Sequence, residues 1–238
     1  MVGSELKAGA RNLIRDNSPK IFIFSIIYVI LATVMGELQL RLPGFADAFT
    51  RYIDELSIGK LPSLATIVTY LRPTGAPFAV VLWLLLAVLD TGVKSYCLKI
   101  LRGTPGDYKD LFDGFLFLGK VLLIRSITVI FIALWSLLLF FPGIMAAYRY
   151  RLAYYILIDD PRKGAFQCIR ESKRLMHKRK LDLFLVDLSF IGWIFLDACI
   201  ALVWPFPFTL PLVPILLTPY HGLTCATFYD RILKELAA

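Results

Sequence analysis

Hydrophobic residues along this chain form long uncharged runs rather than the short alternating patterns of soluble folds. A helix that crosses a bilayer needs about 20 mostly apolar residues, and about 17 to 25 are tolerated. Six segments approach this requirement, which predicts six transmembrane helices. They cover residues 21–36, 76–93, 121–141, 143–158, 183–204 and 210–229. We therefore predict an all-α, polytopic helical membrane protein in which residues 1–238 form a single integral membrane domain.

The first run follows several basic residues and could be confused with a signal peptide. No small-residue cleavage site of the A-x-A kind follows it, and the polar segment 37–41 comes directly after the run. Signal peptides end in such a site, whereas retained spans do not need one. We therefore expect residues 21–36 to remain as the first span.

The fourth segment is the least apolar of the six, because Arg149 and Arg151 lie inside it. If it does not cross, the basic residues of 162–180 lie on the same side of the membrane as the near-neutral loop 37–72. If it crosses, every basic segment lies in the cytoplasm, as the positive-inside rule requires. We therefore predict that it crosses and that both termini are cytoplasmic.

Composition narrows the class further. The chain is 58% hydrophobic and 18% charged, with a mean hydropathy of +0.70, whereas soluble domains are roughly 45–50% apolar and about 25% charged. A water-soluble enzyme is excluded on this ground. The net charge of +8 comes from basic residues between the apolar runs, where they orient the chain in the membrane. Nucleic acid is therefore not an expected partner, and membrane lipids are.

A basic segment between the fourth and fifth runs predicts an additional helix over residues 161–177. Asp160 and Pro161 suit a helix start, as N-cap and first helical residue. Such a helix can lie on the cytoplasmic leaflet and contact anionic lipid, or it can be a solvated connector whose charges enforce the topology. The candidate anionic-lipid contacts are Arg162, Lys163, Arg170, Lys173, Arg174, Lys178, Arg179 and Lys180.

Ionisable residues inside the spans are candidate functional residues, because burying a charge in a bilayer is costly. With a rise of about 1.5 Å per residue, Arg149 and Asp197 lie at similar depths below the outer face. We predict that they form an ion pair between the fourth and fifth spans. Arg151 lies about 200° further around the helix, so it must face water, lipid headgroups or another acid.

A second layer of polar residues lies nearer the cytoplasm. Asp90, Arg125 and Asp187 are each close to the inner end of a span, so Arg125 can pair with either acid. His221 in the sixth span lies at a depth near that of Asp187. A His and Asp proton relay is conceivable there, but a hydrogen-bonded packing role for the histidine is the commoner case.

Signatures of enzymes and metal sites are absent from the sequence. It contains no HExxH, GxSxG, Walker A or GxGxxG motif. Neither a CxxC pair nor a nearby histidine accompanies the cysteines, which indicates neither a zinc site nor a disulfide framework. The cysteines are Cys97, Cys168, Cys199 and Cys225. We therefore predict no enzyme activity, no catalytic residues, no metal and no cofactor.

Several short motifs, read together, resemble a known family. They are Gly92–Gly103 (GVKSYCLKILRG), Leu111–Phe115 (LFDGF), Leu134–Ile144, Tyr148–Tyr150, Tyr155–Pro161 (YILIDDP), Glu171–Met176, Leu188–Trp193 (LSFIGW), Pro219–Tyr220 and Phe228–Tyr229. In this order they resemble the bacterial integral membrane proteins called domain of unknown function 975. The family tends to carry glycine shortly after the methionine, where this chain reads HKRK over residues 177–180. The resemblance implies a multi-pass protein of the bacterial plasma membrane, and it implies no activity and no catalytic residues.

Two functional hypotheses follow. The first is a non-enzymatic binding or accessory protein for lipid, an amphipathic peptide or a membrane partner complex, which includes a second copy of the chain. The second is a small transporter or channel whose intramembrane Arg, Asp and His residues line a path. A transporter predicts a cavity that reaches these residues, whereas a binding protein predicts buried ion pairs and a lipid-facing groove.

Overall fold

The computed structural model describes residues 2–40, 76–138, 140–203 and 212–237. The chain divides into two compact units, Met1–Val29 with Val88–Ala238 and Ile30–Ala87. All regular elements in the described ranges are helical, which confirms the all-α prediction. The helices are α1 (Val2–Asp16), α2 (Lys20–Leu40), α3 (Ala76–Leu101), α4 (Asp113–Leu116), α5 (Leu118–Leu138), α6 (Phe140–Tyr150), α7 (Ala153–Asp159), α8 (Ala165–Leu175), α9 (Lys180–Leu188), α10 (Ile191–Val203) and α11 (Leu212–Ala237). A 3-10 turn, Tyr108–Phe112, precedes α4.

Four described segments are long and apolar enough to cross a membrane. They are Lys20–Leu38, Phe78–Leu101, Leu118–Ser136 and Lys180–Ile200. Each overlaps one of the spans predicted from the sequence, and the second continues about two turns beyond the predicted end at residue 93. The predicted span 143–158 is divided between α6 and α7, and the segment that precedes α11 lies outside the described residues.

Two of the predicted spans are interrupted. α6 ends at Tyr150 and α7 begins at Ala153, with a turn at residues 151–152. α9 ends at Leu188 and α10 begins at Ile191, with a second turn at residues 189–190. There the Ser189 hydroxyl donates to the carbonyl of Val186 at 2.5 Å. Serine side chains compete in this way with the backbone ladder, and such bonds often bend helices.

A proline interrupts the hydrogen bonding of α11 without ending the helix. Pro219 lies inside α11 and has no N–H, so it cannot donate to the carbonyl four residues earlier. That carbonyl belongs to Ile215, and it accepts a hydrogen bond of 2.6 Å from the hydroxyl of Ser25 in α2. Ser25 is fully buried. One hydroxyl of the first apolar helix therefore satisfies a carbonyl that the proline leaves without its helical partner.

The basic helix predicted over residues 161–177 is shorter than expected. It begins at Ala165, and Gly164 is its N-cap, with the side chain of Gln167 accepting from the Gly164 N–H at 3.0 Å. The expected start at Asp160 and Pro161 is wrong, because those residues form the turn that follows α7. Residues 161–164 lie in that turn and its continuation.

The apolar side of α8 is covered by protein. Ile169 and Met176 are buried, whereas Phe166 is 65% exposed. The helix packs against α5, α6 and α7, and the Ser172 hydroxyl donates to the carbonyl of Arg149 in α6 at 2.9 Å. A helix that lay on the leaflet by its apolar stripe would leave that stripe for lipid. The apolar side of α8 is instead mostly buried against other helices, so only its charged side and Phe166 face outward.

The turn that follows α8 contains a residue in the left-handed region. Lys178 has a φ of 66° and its side chain is exposed. Left-handed backbone is unstrained for glycine but costs other residues about 1–2 kcal/mol. Residue 178 belongs to the segment 177–180, in which the family that the chain resembles tends to carry glycine. The lack of glycine in this segment therefore coincides with a strained backbone position.

Both ends of the chain lie on one side of the larger unit. α1 packs against α11 and α9, and Arg231 near the C-terminus pairs with Glu5 of α1 at 3.3 Å. Arg179, which precedes α9, pairs with Glu235 at 2.8 Å. The start of α9 and the end of α11 are therefore neighbours of the N-terminal helix.

Candidate functional site

A cluster of four polar side chains lies where α7, α9 and α11 meet; we call Arg151, Asp187, His221 and Cys225 the polar cluster. One carboxylate oxygen of Asp187, Oδ2, accepts from Arg151 and from the Tyr148 hydroxyl, the latter at 2.8 Å. The other oxygen, Oδ1, lies 3.0 Å from His221 Nε2. Arg151 Nη2 lies 3.1 Å from the same nitrogen, and the Cys225 sulfur lies 3.7 Å from both.

Three of the backbone irregularities described above lie beside a member of this cluster. Arg151 is in the turn between α6 and α7, and Asp187 is two residues before the turn that separates α9 from α10. Pro219 precedes His221 by two residues. Irregular backbone at membrane depth is tolerated where it is buried in protein or lines a cavity. Three such irregularities therefore lie within two residues of a member of the polar cluster.

The sequence-based expectation that no cysteine has a nearby histidine is wrong. His221 precedes Cys225 by four residues in α11, and residues four apart share one face of a helix. This spacing was readable from the sequence. The contact of both residues with Asp187 was not, because that carboxylate comes from a separate helix.

The predicted ion pair between Arg149 and Asp197 is wrong. Among the described residues no ion pair joins them, and Asp187 instead pairs with Arg151 and His221. The depth estimate compared positions along two helix axes and did not establish that the two helices touch; α6, which carries Arg149, packs against α9, which carries Asp187. Arg151 faces another acid, Asp187, which is one of the three surroundings expected for it, and His221 Nε2 lies 3.0 Å from Asp187 Oδ1.

A cavity of about 400 Å³ opens beside the polar cluster. Its charged and titratable lining consists of Asp90, Lys94, Arg125, Arg151, His221 and Cys225. Four phenol side chains, Tyr28, Tyr150, Tyr154 and Tyr155, also line it. The rest is mainly apolar, with Val93, Val129, Ile132 and Ala147. Three permanent cations thus face one carboxylate in a space that is otherwise apolar or phenolic. We call this space the cationic cavity.

Asp90 and Arg125 face the cationic cavity together. Asp90 accepts from Lys94 one helical turn further along α3, at 2.5 Å. Asp187 is occupied by Arg151 and His221. Arg125 lies in the same cavity wall as Asp90, and its pairing with that acid stays a prediction.

A second cavity, of about 460 Å³, lies on the other side of His221. It is mostly apolar, with Phe190, Ile194, Val213 and Leu217 in its wall. Asp187 and Asp197 are its acids. His221 and Thr218 line both cavities, whereas Arg149 lines neither of the two.

The predicted anionic-lipid contacts divide into paired and exposed residues. Lys163 bonds Glu171 at 2.8 Å, and this hydrogen bond raises the pKa of the Lys163 ammonium above its usual value. Arg179 pairs with Glu235, and Lys180 is partly buried. The exposed ones are Arg162, Arg170, Lys173, Arg174 and Lys178. These five residues form the outward-facing basic surface of α8 and its flanking turns.

A further polar group was not anticipated from the sequence. Arg102, after α3, pairs with Asp159 at the end of α7 at 2.7 Å, and the Tyr229 hydroxyl donates to the same carboxylate at 2.8 Å. Tyr155 stacks on Tyr229 with ring centroids 5.3 Å apart. Asp159 directly precedes Asp160, the expected N-cap of the next helix. Its partners lie 57 and 70 residues away along the chain, so local spacing gave no sign of them.

Comparison with protein families identifies residues 127–236 as a match to a family described as "Protein of unknown function (DUF975)". This confirms the resemblance noted from the sequence, and it covers the motifs from Leu134 to Tyr229. The motifs Gly92–Gly103 and Leu111–Phe115 lie before the matched region. No curated protein and no solved structure matches the chain.

Proposed function

We propose from the site itself that this chain, whose residues 127–236 match the DUF975 family of unknown function, is a non-enzymatic membrane protein that binds an anionic lipid. The cationic cavity carries this proposal. Its wall combines guanidinium, ammonium and phenol donors with apolar side chains. Such a lining matches the acceptor-rich headgroup and the first carbons of an anionic amphiphile.

The charges in the cavity favour an anionic ligand over a zwitterionic one. Three cationic side chains, Lys94, Arg125 and Arg151, line the cavity together with one carboxylate, Asp90. Charge-assisted hydrogen bonds from guanidinium to phosphate oxygens are stronger than neutral ones. A cavity of about 400 Å³ holds a phosphate and part of its glycerol, while the acyl chains would remain in the bilayer.

The test is equilibrium binding of labelled phosphatidylglycerol and phosphatidylcholine to the full chain in detergent micelles. We expect phosphatidylglycerol to bind more tightly, and Arg125→Gln to weaken it about tenfold, since a hydrogen bond to a charged group contributes about 1.5–3 kcal/mol. The matched control is Arg170→Gln, which removes an exposed charge of α8. If Arg170→Gln weakens binding as much as Arg125→Gln does, the lipid binds the outer basic surface and the cavity proposal is wrong.

We propose in addition that the chain crosses the bacterial plasma membrane six times with both termini and α8 in the cytoplasm. The contacts of α1 with α11 and α9, and the Arg231 to Glu5 pair, support a shared side for both termini. Exposed arginine and lysine near anionic lipid contribute about 1 kcal/mol each, so Arg170, Lys173 and Arg174 would hold α8 at the inner leaflet.

Cysteine accessibility in intact cells tests this topology. In a cysteine-free chain, Arg11→Cys, Arg170→Cys and Leu236→Cys are expected to react with an impermeant maleimide only after the cells are opened. A cysteine placed in the loop 37–72 is expected to react before opening and serves as the positive control. Reaction of either terminal cysteine in intact cells would refute the proposed orientation.

Transport is a second candidate function, favoured by the two cavities that share His221 and Thr218. Broken helices around a polar site at membrane depth are a feature of many transporters. A transporter would carry its substrate between the cavities past His221. Proton uptake by proteoliposomes that carry the wild-type chain tests this candidate. Flux that His221→Ala abolishes would support it, and unchanged flux would reject it.

A further inference from the structure

We propose that Asp187, His221 and Cys225 bind a zinc-class divalent metal ion. The three side chains supply a carboxylate oxygen, an imidazole nitrogen and a sulfur, and these ligand atoms all lie within 4.8 Å of one another. Carboxylate, imidazole and thiolate together suit zinc and cobalt, whereas magnesium and calcium prefer oxygen ligands alone. This proposal does not depend on lipid binding in the cationic cavity.

Two of the three distances between the ligand atoms are close to those of a tetrahedral site. Bonds of about 2.0–2.2 Å to nitrogen and oxygen and about 2.3 Å to sulfur place neighbouring ligands roughly 3.5 Å apart. In the structure Asp187 Oδ1 and His221 Nε2 are 3.0 Å apart, and His221 Nε2 and Cys225 Sγ are 3.7 Å apart. Two of the ligands come from successive turns of α11, so the helix holds their separation, and α9 supplies the third.

The surroundings of Asp187 resemble those of a metal ligand. Its two oxygens have different partners: Oδ2 accepts from Tyr148 and Arg151, and Oδ1 faces His221. Ligating carboxylates are usually held by such additional hydrogen bonds. A metal can therefore bind Oδ1 while Tyr148 continues to orient the carboxylate through Oδ2.

Arg151 is the competitor of the metal. Its guanidinium contacts all three ligand side chains, so the carboxylate, the imidazole and the sulfur already share one positive charge. A metal ion would replace this charge at His221 and Cys225, and the Nη2 end of Arg151 would turn into the cationic cavity that it lines. Removal of the arginine charge should therefore strengthen metal binding, which is the opposite of what a stabilising packing residue predicts.

An ion and a fourth ligand have access from either side of the cluster. Cys225 lines the cationic cavity, Asp187 lines the apolar one, and His221 lines both. Three protein ligands leave one tetrahedral position for water or for a group from a cavity, as in zinc sites that keep an open position.

The test is a titration of the purified full chain in detergent with Co²⁺, and then with Zn²⁺ as competitor. We expect one equivalent of Co²⁺ to produce sulfur-to-cobalt charge-transfer absorption, which Zn²⁺ abolishes. Cys225→Ser is expected to lose this absorption. Tyr148→Phe is expected to weaken binding about tenfold, as loss of an outer hydrogen bond typically does, and Arg151→Gln to strengthen it.

The matched control is Cys168→Ser. Cys168 is buried in α8 outside the polar cluster, and burial raises the pKa of its thiol, so it should not contribute to the absorption. The proposal is overturned if the wild-type chain gives no charge-transfer band. It is also overturned if the band survives Cys225→Ser or disappears with Cys168→Ser.

A measurement on the wild-type chain covers the case in which a variant does not fold. Zn²⁺ is expected to slow alkylation of Cys225 by iodoacetamide, read by mass spectrometry, and to leave alkylation of Cys199 in α10 unchanged. Equal rates at Cys225 with and without Zn²⁺ would overturn the proposal. Zinc should also raise the melting temperature of Arg151→Gln more than that of the wild type, because a ligand bound only by the folded state stabilises it.

Discussion

The hydrogen bond from Ser25 to Ile215 offers a direct measurement of what holds α2 against the proline-containing helix. Ser25→Ala removes the donor and leaves the Ile215 carbonyl facing Pro219, which has no N–H. A buried acceptor that loses its partner costs about 1–3 kcal/mol. Hydrogen bonds between membrane helices average only about 0.6 kcal/mol, with a maximum of about 1.7.

The upper part of the membrane range applies to Ser25. Most helix carbonyls that lose a side-chain donor still accept from the backbone N–H four residues later. The Ile215 carbonyl has no such donor, because residue 219 is proline. The bond is also short, at 2.6 Å, and Ser25 is fully buried, so water does not replace the lost hydroxyl. We therefore expect Ser25→Ala to cost about 1–2 kcal/mol.

A double-mutant cycle with Pro219→Ala separates this hydrogen bond from general packing. Alanine at position 219 supplies the N–H that Ile215 lacks, so Ser25→Ala should then cost less than about 0.5 kcal/mol, within the range of ordinary surface substitutions. The coupling between the two positions should accordingly be at least about 0.5 kcal/mol. The free energy of unfolding is measured by denaturant titration in mixed micelles, with helicity as the signal.

Thr224→Val is the matched control. Its hydroxyl donates to the carbonyl of Tyr220 within α11 at 2.7 Å, and residue 224 has its own backbone N–H to offer that carbonyl. Loss of this buried hydroxyl should cost less than loss of Ser25. If Ser25→Ala costs the same in both position-219 backgrounds, the carbonyl has another donor and the explanation of the interrupted helix is wrong.

Two further predictions concern backbone positions. Lys178→Gly should stabilise the chain by about 0.5–1 kcal/mol, because the relief of left-handed strain exceeds the entropy that glycine loses on folding. The control Lys178→Ala loses the same charge and keeps the strain, so equal unfolding free energies of the two variants would contradict this prediction. Gly114→Ala should destabilise by about 1–3 kcal/mol, because its Cβ would collide with the backbone carbonyl oxygen of Val88. Gly119→Ala is the control, since no described heavy atom outside its own helix and chain neighbours lies within 4 Å of the new Cβ. If Gly114→Ala melts at or above the melting temperature of Gly119→Ala, the close approach of Gly114 to the Val88 carbonyl is excluded.

Much of the architecture was predictable because apolar length and positive charge are properties of the chain itself. Four of the predicted spans overlap helices that are apolar enough to cross a membrane. The matched family region was identified from local motifs. Helix ends were less predictable: Asp160 and Pro161 have the residue types of a helix start, yet the helix begins at Ala165, because the packing of α8 against its neighbours determines where the turn ends.

The candidate site was predictable only in part. Arg151, Asp187 and His221 could be singled out as costly charges or titratable groups within apolar runs, and Cys225 could have been added from its spacing to His221. Which of them touch one another was decided by tertiary structure. A pairing estimate from residue depth also requires that the two helices be neighbours, and the sequence did not show that α6 packs against α9.

The sequence by itself therefore determined that this is an all-helical chain with long apolar segments, basic connections and a few charges inside the apolar segments. Only the tertiary structure decided that Arg151 rather than Arg149 is paired, that Asp187 is its partner, and that Ser25 bonds beside Pro219. The physical reason is that hydrophobicity and charge act locally along the chain. A hydrogen bond needs two atoms within about 3 Å, and for residues on different helices only the packed backbone brings them that close.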